Sequence, residues 1–501
     1  MKQILYIIAV FVLMSCHSAS VPENYTKTDS LPSIYPDYID VTIPANIAPL
    51  TFMMNSEADE MVARLTSGNE EMVLGGNKIQ PDVDEWHDLL QQALEGDITV
   101  EVFARHGKQW TGYKPFALHV SKDSIDPWLS YRLISPSYVA YEELTLNQRC
   151  LENYEERVMV DNMLCSTETE GQCVNCHSYQ QYNPDRMLFH ARQNMGGTII
   201  AYDGKLKKIN MTGDSILSSG VYPAWHPWLP LVVFSSNKTG QSFHTANRSK
   251  VEVFDTASDL IAYDVEKNQV TNIENDPEEF ETYPSWAPDG GTLYYCSAHF
   301  VYSDSLERDA DVISRAREFK YCIYRKSFDP ATMTFGPRQM VFNADSLGKS
   351  ATFPRISPDG RFLVFTLGDF GCFHIWHHEA DLWLMDLTSG EYGRMQAVNS
   401  DDTESYHSWS SGGRWLVVSS RREDGNFTHP YITHIDGQGH STKAFLLPQA
   451  DPEHYRLFMK SYNIPEFMRG PVNFRPQDFA KTLRREKGQP VQYVQASRWG
   501  H

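Results

Sequence analysis

Four copies of one short pattern decide what this chain can fold into. Each copy runs aromatic-x-x-aromatic, then a turn rich in Pro, Asp and Gly, then a hydrophobic strand. It appears as Tyr222-Pro223-Ala224-Trp225-His226-Pro227 before Leu231-Val232-Val233-Phe234, and as Tyr283-Pro284-Ser285-Trp286-Ala287-Pro288-Asp289-Gly290 before Leu293-Tyr294-Tyr295. It recurs as Phe353-Pro354-Arg355-Ile356-Ser357-Pro358-Asp359-Gly360 before Phe362-Leu363-Val364-Phe365, with Ile356 in place of the second aromatic. The fourth copy is Tyr406-His407-Ser408-Trp409-Ser410-Ser411-Gly412-Gly413 before Trp415-Leu416-Val417-Val418. The starts at 222, 283, 353 and 406 are unevenly spaced, so insertions separate the units. Second strands such as Asp259-Leu260-Ile261-Ala262-Tyr263-Asp264 and Asp381-Leu382-Trp383-Leu384-Met385-Asp386 end in an acidic residue and a turn. One such unit cannot bury both faces of its own sheet, so the units must stack on one another.

These units resemble the blades of TolB-like β-propellers over roughly half the chain. The resemblance implies a mainly β fold with five or six blades around a channel. Ahead of it, residues 34–140 read as a small β-sandwich-like domain, from strand runs at 38–43, 48–52, 98–104 and 116–120 with helical spacing over 84–94. Residues 16–33 are a polar tether, 141–172 a connector, 173–475 the propeller and 476–501 a polar tail. A last blade is expected from 451–472, with a strand from the N-terminal region as a candidate to close the ring.

The most specific chemistry lies in Cys173-Val174-Asn175-Cys176-His177, a C-x-x-C-H run that reads as a covalent c-type haem attachment site. Cys173 and Cys176 are the expected thioether donors and His177 the expected iron ligand. Aligning Cys176-His177-Ser178-Tyr179 with Phe353-Pro354-Arg355-Ile356 makes this stretch the opening of a first blade, which places a haem at one propeller face. For the sixth iron position the candidates are Met195, before a Gly-Gly turn, and His190. Met187 lies in an apolar run that reads as core, and His226, His374, His377, His378 and His407 are more distant alternatives. The run His374-Ile375-Trp376-His377-His378-Glu379 does not have H-E-x-x-H spacing and reads as a solvated loop, as does the acidic stretch 274–281.

Compartment decides the weight of a C-x-x-C-H run, and the N-terminus supplies it. One lysine, an apolar run over 4–14 and then Leu13-Met14-Ser15-Cys16 resemble a bacterial lipoprotein signal peptide of Bacteroidetes type over residues 1–15. The resemblance implies cleavage before Cys16, lipid on that cysteine and, with no acidic run after it, a periplasm-facing anchor in the cell envelope. A formal charge of −20 argues against a nucleic-acid partner. Of eight cysteines, lipid and haem account for three, which leaves Cys150, Cys165, Cys296, Cys322 and Cys372. An inter-strand disulfide between Cys296 and Cys322 is one expectation among several pairings.

No G-x-S-x-G nucleophile elbow or other catalytic set is recognisable, so electron transfer or haem-based sensing, with a redox or envelope protein docking on the propeller, is expected ahead of turnover. The alternative is a non-haem TolB-like interaction propeller in which Cys173 and Cys176 form a structural pair.

Overall fold

The computed structural model describes residues 19–135, 143–166, 173–244, 249–303, 307–485 and 487–499. Cys16 and the apolar leader lie outside them. The structure is mainly β, with a propeller arrangement.

Five consecutive antiparallel sheets follow the chain, each four strands deep from its first strand outward. Sheet 1 comprises Cys173–Tyr179, Met187–Arg192, Gly197–Tyr202 and Lys205–Asn210; sheet 2 comprises Gly220–Trp225, Leu231–Phe243, Val251–Asp264 and Gln269–Glu274. Sheet 3 begins with Glu279–Trp286, sheet 4 with Ser350–Ile356 and sheet 5 with Glu404–Trp409. A sixth sheet is assembled from both ends of the chain: Ser461–Met468 pairs with Trp128–Ile134, which continues to Thr145–Cys150 and Glu156–Asp161.

All six first strands share one irregularity. In each, two consecutive residues face a single residue of the next strand, a two-against-one bulge. The unmatched pairs are Cys176-His177, Tyr222-Pro223, Tyr283-Pro284, Phe353-Pro354, Ser405-Tyr406 and Ile464-Pro465. Proline has no N–H to give to a ladder, so it fits a strand interior only where the ladder is already broken. In five of the six the first residue of the pair adopts a left-handed backbone: φ is 54° at Cys176, 47° at Tyr222, 52° at Tyr283, 52° at Phe353 and 51° at Ile464. This turns the side chains inward, where Tyr222, Tyr283, Phe353 and Tyr406 meet ring to ring at 4.3–4.4 Å between centroids.

Several sequence expectations change here. The expected sandwich is one seven-stranded sheet over residues 26–121, carrying the helix Val83–Gln92, whose Trp86 is fully buried and donates to the Ile47 carbonyl at 3.0 Å. Residues 128–134 and strands of the expected connector belong to sheet 6, where 128–134 pairs with the C-terminal strand and Leu129 and Tyr131 are fully buried. The expected polar tail contains the helix Pro476–Arg485, which packs Phe479 on Phe189 at 5.5 Å. Beyond it the chain runs along the outer edges of sheets 1 and 2.

The acidic stretch is solvated at its turn, residues 275–278, but not at its end: Glu281 is wholly buried, and burial together with Glu274, Asp259 and Glu279 raises its pKa to about 9, so it is neutral at pH 7. Cys296 and Cys322 are both free, since Cys322 pairs with Ser297 and the one-residue offset sends the two side chains to opposite faces.

The histidine run is a buried turn. His374 sits between the Thr352 hydroxyl (2.9 Å) and the Phe370 carbonyl (3.1 Å), and His377 ties sheet 4 to the Glu252 carboxylate of sheet 2 at 2.8 Å. Burial pulls the His377 pKa down, but the Glu252 and Glu379 carboxylates outweigh it and hold the group up at about 9.

A pKa above the ordinary histidine value means that this pair's contribution is complete below about pH 6.5 and is lost as pH rises through about 9. Urea unfolding of wild type and Glu252→Gln across pH 6–9.5 is expected to show their stability difference shrinking as pH rises; a constant difference would refute the coupling. Leu129→Ala is expected to cost about 2–5 kcal/mol in the same assay, because it opens a cavity in the sheet that joins the two ends of the chain.

Candidate functional site

Residues of the first strands line three cavities at successive levels, although those of sheets 3 and 4 reach only the middle and the far one. At one mouth, Cys173, Asn175, Val221, Tyr222, Ser461 and Asn463 help line a cavity of about 110 Å3. In the middle, Cys176, His177, Tyr222, Tyr283, Tyr406 and Ile464 enclose only about 20 Å3, room for about one water. At the other mouth, residues from Ser178, Ala224, Ser285, Arg355, Ser408 and Glu466 outward line a funnel of about 650 Å3. The C-x-x-C-H run therefore extends from one mouth to the middle of the axis.

Cys173 is half-buried and lies opposite Arg192; Asn175 lies opposite His190 and accepts from the Arg132 guanidinium at 2.6 Å. Cys176 is buried, and that burial raises its thiol pKa, keeping it protonated. His177 is 1% exposed, and neither ring nitrogen has a hydrogen-bond partner: the backbone of Ile464 and Ser130 lies beside the ring without meeting it in hydrogen-bond geometry. Burial, assisted by Arg132, lowers its pKa to about 3, so the imidazole is neutral, the form that ligates metals.

The donor set fits a covalent haem in kind: two free thiols, a neutral imidazole with both nitrogens unpartnered, and Arg132 and Arg192 beside the half-buried cysteine. The space between the rings does not fit one, since about 20 Å3 does not hold a porphyrin. The left-handed backbone at Cys176 is no sign of a cofactor, because four other first strands have it at the same position. Nor do Cys173 and Cys176 form a disulfide. Both are free, and three residues of extended strand span about 10 Å, against the roughly 4.4–6.8 Å that a disulfide tolerates between Cα atoms.

The sixth-ligand candidates are dispersed. His190 is buried on the same sheet face as Cys173 and Asn175, its Nδ1 3.3 Å from the Thr198 hydroxyl, and burial next to Arg192 lowers its pKa to about 3. Met195 is half-buried in the turn Gln193–Met195 and lines none of the three cavities. Met187 is fully buried in the core, as its apolar run suggests. His226 and His407 are engaged with the carbonyls of Gly290 (3.1 Å) and Val364 (3.1 Å). Among the described residues no group of three or more His, Cys, Asp or Glu side chains is arranged to hold a metal ion.

Sequence reasoning missed Arg355 and Glu466. The third residue of the bulge pattern is small in four sheets, Ser178, Ala224, Ser285 and Ser408, but charged in sheets 4 and 6. That contrast was readable for Arg355. For Glu466 it required seeing Ile464-Pro465-Glu466-Phe467 as a further copy of the pattern.

No family model and no curated protein matches this chain. Among solved structures it is similar to an ACO/RPE65 chimera at 11% identity and a TM-score of 0.40, covering 89% of this chain and 100% of that one. It is also similar to the periplasmic gluconolactonase PpgL of Pseudomonas aeruginosa (11%, TM-score 0.33, 64% and 97%) and to a putative 6-phosphogluconolactonase of Bacteroides fragilis (12%, TM-score 0.30, 65% and 96%). Likeness at this level says nothing about what this chain does.

Proposed function

We propose that this chain is a lipid-anchored, periplasm-facing propeller of six blades that carries one c-type haem on Cys173 and Cys176, with His177 as an iron ligand, and that it serves electron transfer or haem-based sensing. The single observation behind the haem is His177. Its counterparts in four of the other first strands are Pro223, Pro284, Pro354 and Pro465, which bring no polar side-chain atom into the channel. A histidine there buries two nitrogens with no partner, at a cost of about 1–3 kcal/mol that a metal bond would offset in part. Met195 and His190 remain the candidates for the sixth position.

Six blades are supported by the six bulged first strands around one axis, the last completed by the N-terminal strands of sheet 6. Anchoring rests on the leader and Cys16. No helix among the described residues is long and apolar enough to cross a membrane. A partner protein would exchange electrons at the mouth that Cys173 lines.

A second reading has its own observation. The extended strand and the small enclosed cavity favour a binding propeller without haem, in which Cys173 and Cys176 stay as unbridged thiols. The two readings separate in one preparation. Protein made in an exporting host with c-type maturation machinery is expected to keep a sharp reduced α-band after acid-acetone extraction and to stain for haem on a denaturing gel. Cys173→Ser/Cys176→Ser is expected to lose both signals while keeping its melting transition. A featureless wild-type spectrum would leave the haem-free binding propeller.

A further inference from the structure

At the mouth away from Cys173, the funnel of about 650 Å3 has the size of a small-molecule site and a closed floor, because the aromatic collar leaves almost no passage beyond it. Its wall is held rigid by buried indoles, which show the funnel little more than an edge: Trp286 donates to the Ala224 carbonyl and Trp409 to the Arg355 carbonyl, each at 3.2 Å, so each ring is fixed to a neighbouring sheet. Trp228 stands at the rim, 52% exposed.

Two ionisable side chains reach the floor, Arg355 and Glu466; burial raises the Glu466 pKa to about 7, and the Arg355 guanidinium opposes that rise. Arg355 makes no ion pair among the described residues, and its guanidinium donates to the adjacent Pro354 carbonyl at 3.2 Å. Glu466 projects into the same space from sheet 6 without a salt bridge to it. Both stand where the other four sheets carry Ser or Ala, so the cavity is wide and its charge is concentrated at two points. Arg469 adds a further cation on the wall, over the Tyr182 ring at 5.7 Å.

We propose that this funnel is a binding site for an organic carboxylate with a flat apolar face, its carboxylate on Arg355, its body against the exposed Trp228 ring and a hydroxyl on Glu466. Arginine is suited to the carboxylate because its planar fork meets both oxygens. An acidic saccharide unites the three features in one molecule, a uronate carboxylate, C–H faces that lie on indole rings and hydroxyls for Glu466; an aromatic acid supplies the first two. Arg355 and Glu466 also border the small central space that holds Cys176 and His177, so the site is tested both with and without the two cysteines.

Calorimetric titration of the full chain with tri-galacturonate, maltotriose and p-coumarate tests this, repeated on Cys173→Ser/Cys176→Ser so that failure of the haem reading stays separate. Tri-galacturonate is expected to bind and maltotriose to fail. Arg355→Gln is expected to weaken the acid about tenfold or more, the usual loss for one charged hydrogen bond. Trp228→Ala, at the rim, provides a variant whose fold is not at risk and is expected to weaken the same ligand. Binding of p-coumarate with no binding of the uronate would keep the carboxylate site and replace the saccharide by an aromatic acid. Equal binding of maltotriose, affinity unchanged in Arg355→Gln, or no binding of either acid would overturn the proposal.

Discussion

The break in every first strand is the constraint on which the rest depends. A regular ladder would point alternate side chains into the neighbouring sheets and leave the axis to whatever remained. The two-against-one bulge instead turns one residue of each first strand toward the centre. A left-handed backbone costs about 1–2 kcal/mol for a residue other than glycine, and five of the six sheets bear it. Ring contacts at 4.3–4.4 Å around the axis are what that strain secures. The collar fixes how far apart the sheets stand and divides the channel into two unlike mouths.

That constraint also explains what could be read from the sequence. Aromatic-Pro at a strand start is conspicuous because proline is excluded from ladders and tolerated in bulges, so its recurrence marks three of the first strands directly, and the aromatic spacing marks a fourth at Tyr406. Sheet 6 was hard to see for a topological reason. Its first strand keeps the proline but opens on Ile464, and its other three strands lie more than three hundred residues away in sequence, where no periodicity links them. Glu281 and His377 were misread as solvated for another reason: charged letters suggest a surface, and only the packing shows that one is neutralised by burial and the other held by two carboxylates.

The site was legible in its letters but not in its depth. C-x-x-C-H names three donors wherever it occurs, yet the spacing says nothing of whether the strand is coiled or extended. Here the fold requires extension: Cys173, Val174 and Asn175 pair with Arg192, Ala191 and His190, and Arg132 reinforces the end of the ladder through Asn175. Extension separates the two thiols that one porphyrin edge would have to take. The blade and the haem motif thus make opposite demands on the same five residues.

His177 shows where that conflict bears most heavily. If the five residues served the blade alone, proline at 177 would meet the bulge at no cost in polar burial, as it does in four other sheets. The imidazole instead carries two unpartnered nitrogens into a space that holds about one water. A single water could satisfy one nitrogen and a metal bond would likewise take one, so either partner removes about half of the cost. Blade geometry therefore accounts for Cys176, whose backbone conformation is shared around the ring. It does not account for His177, the residue in the motif for which a bonding partner beyond the protein's own atoms gives the simplest physical reason.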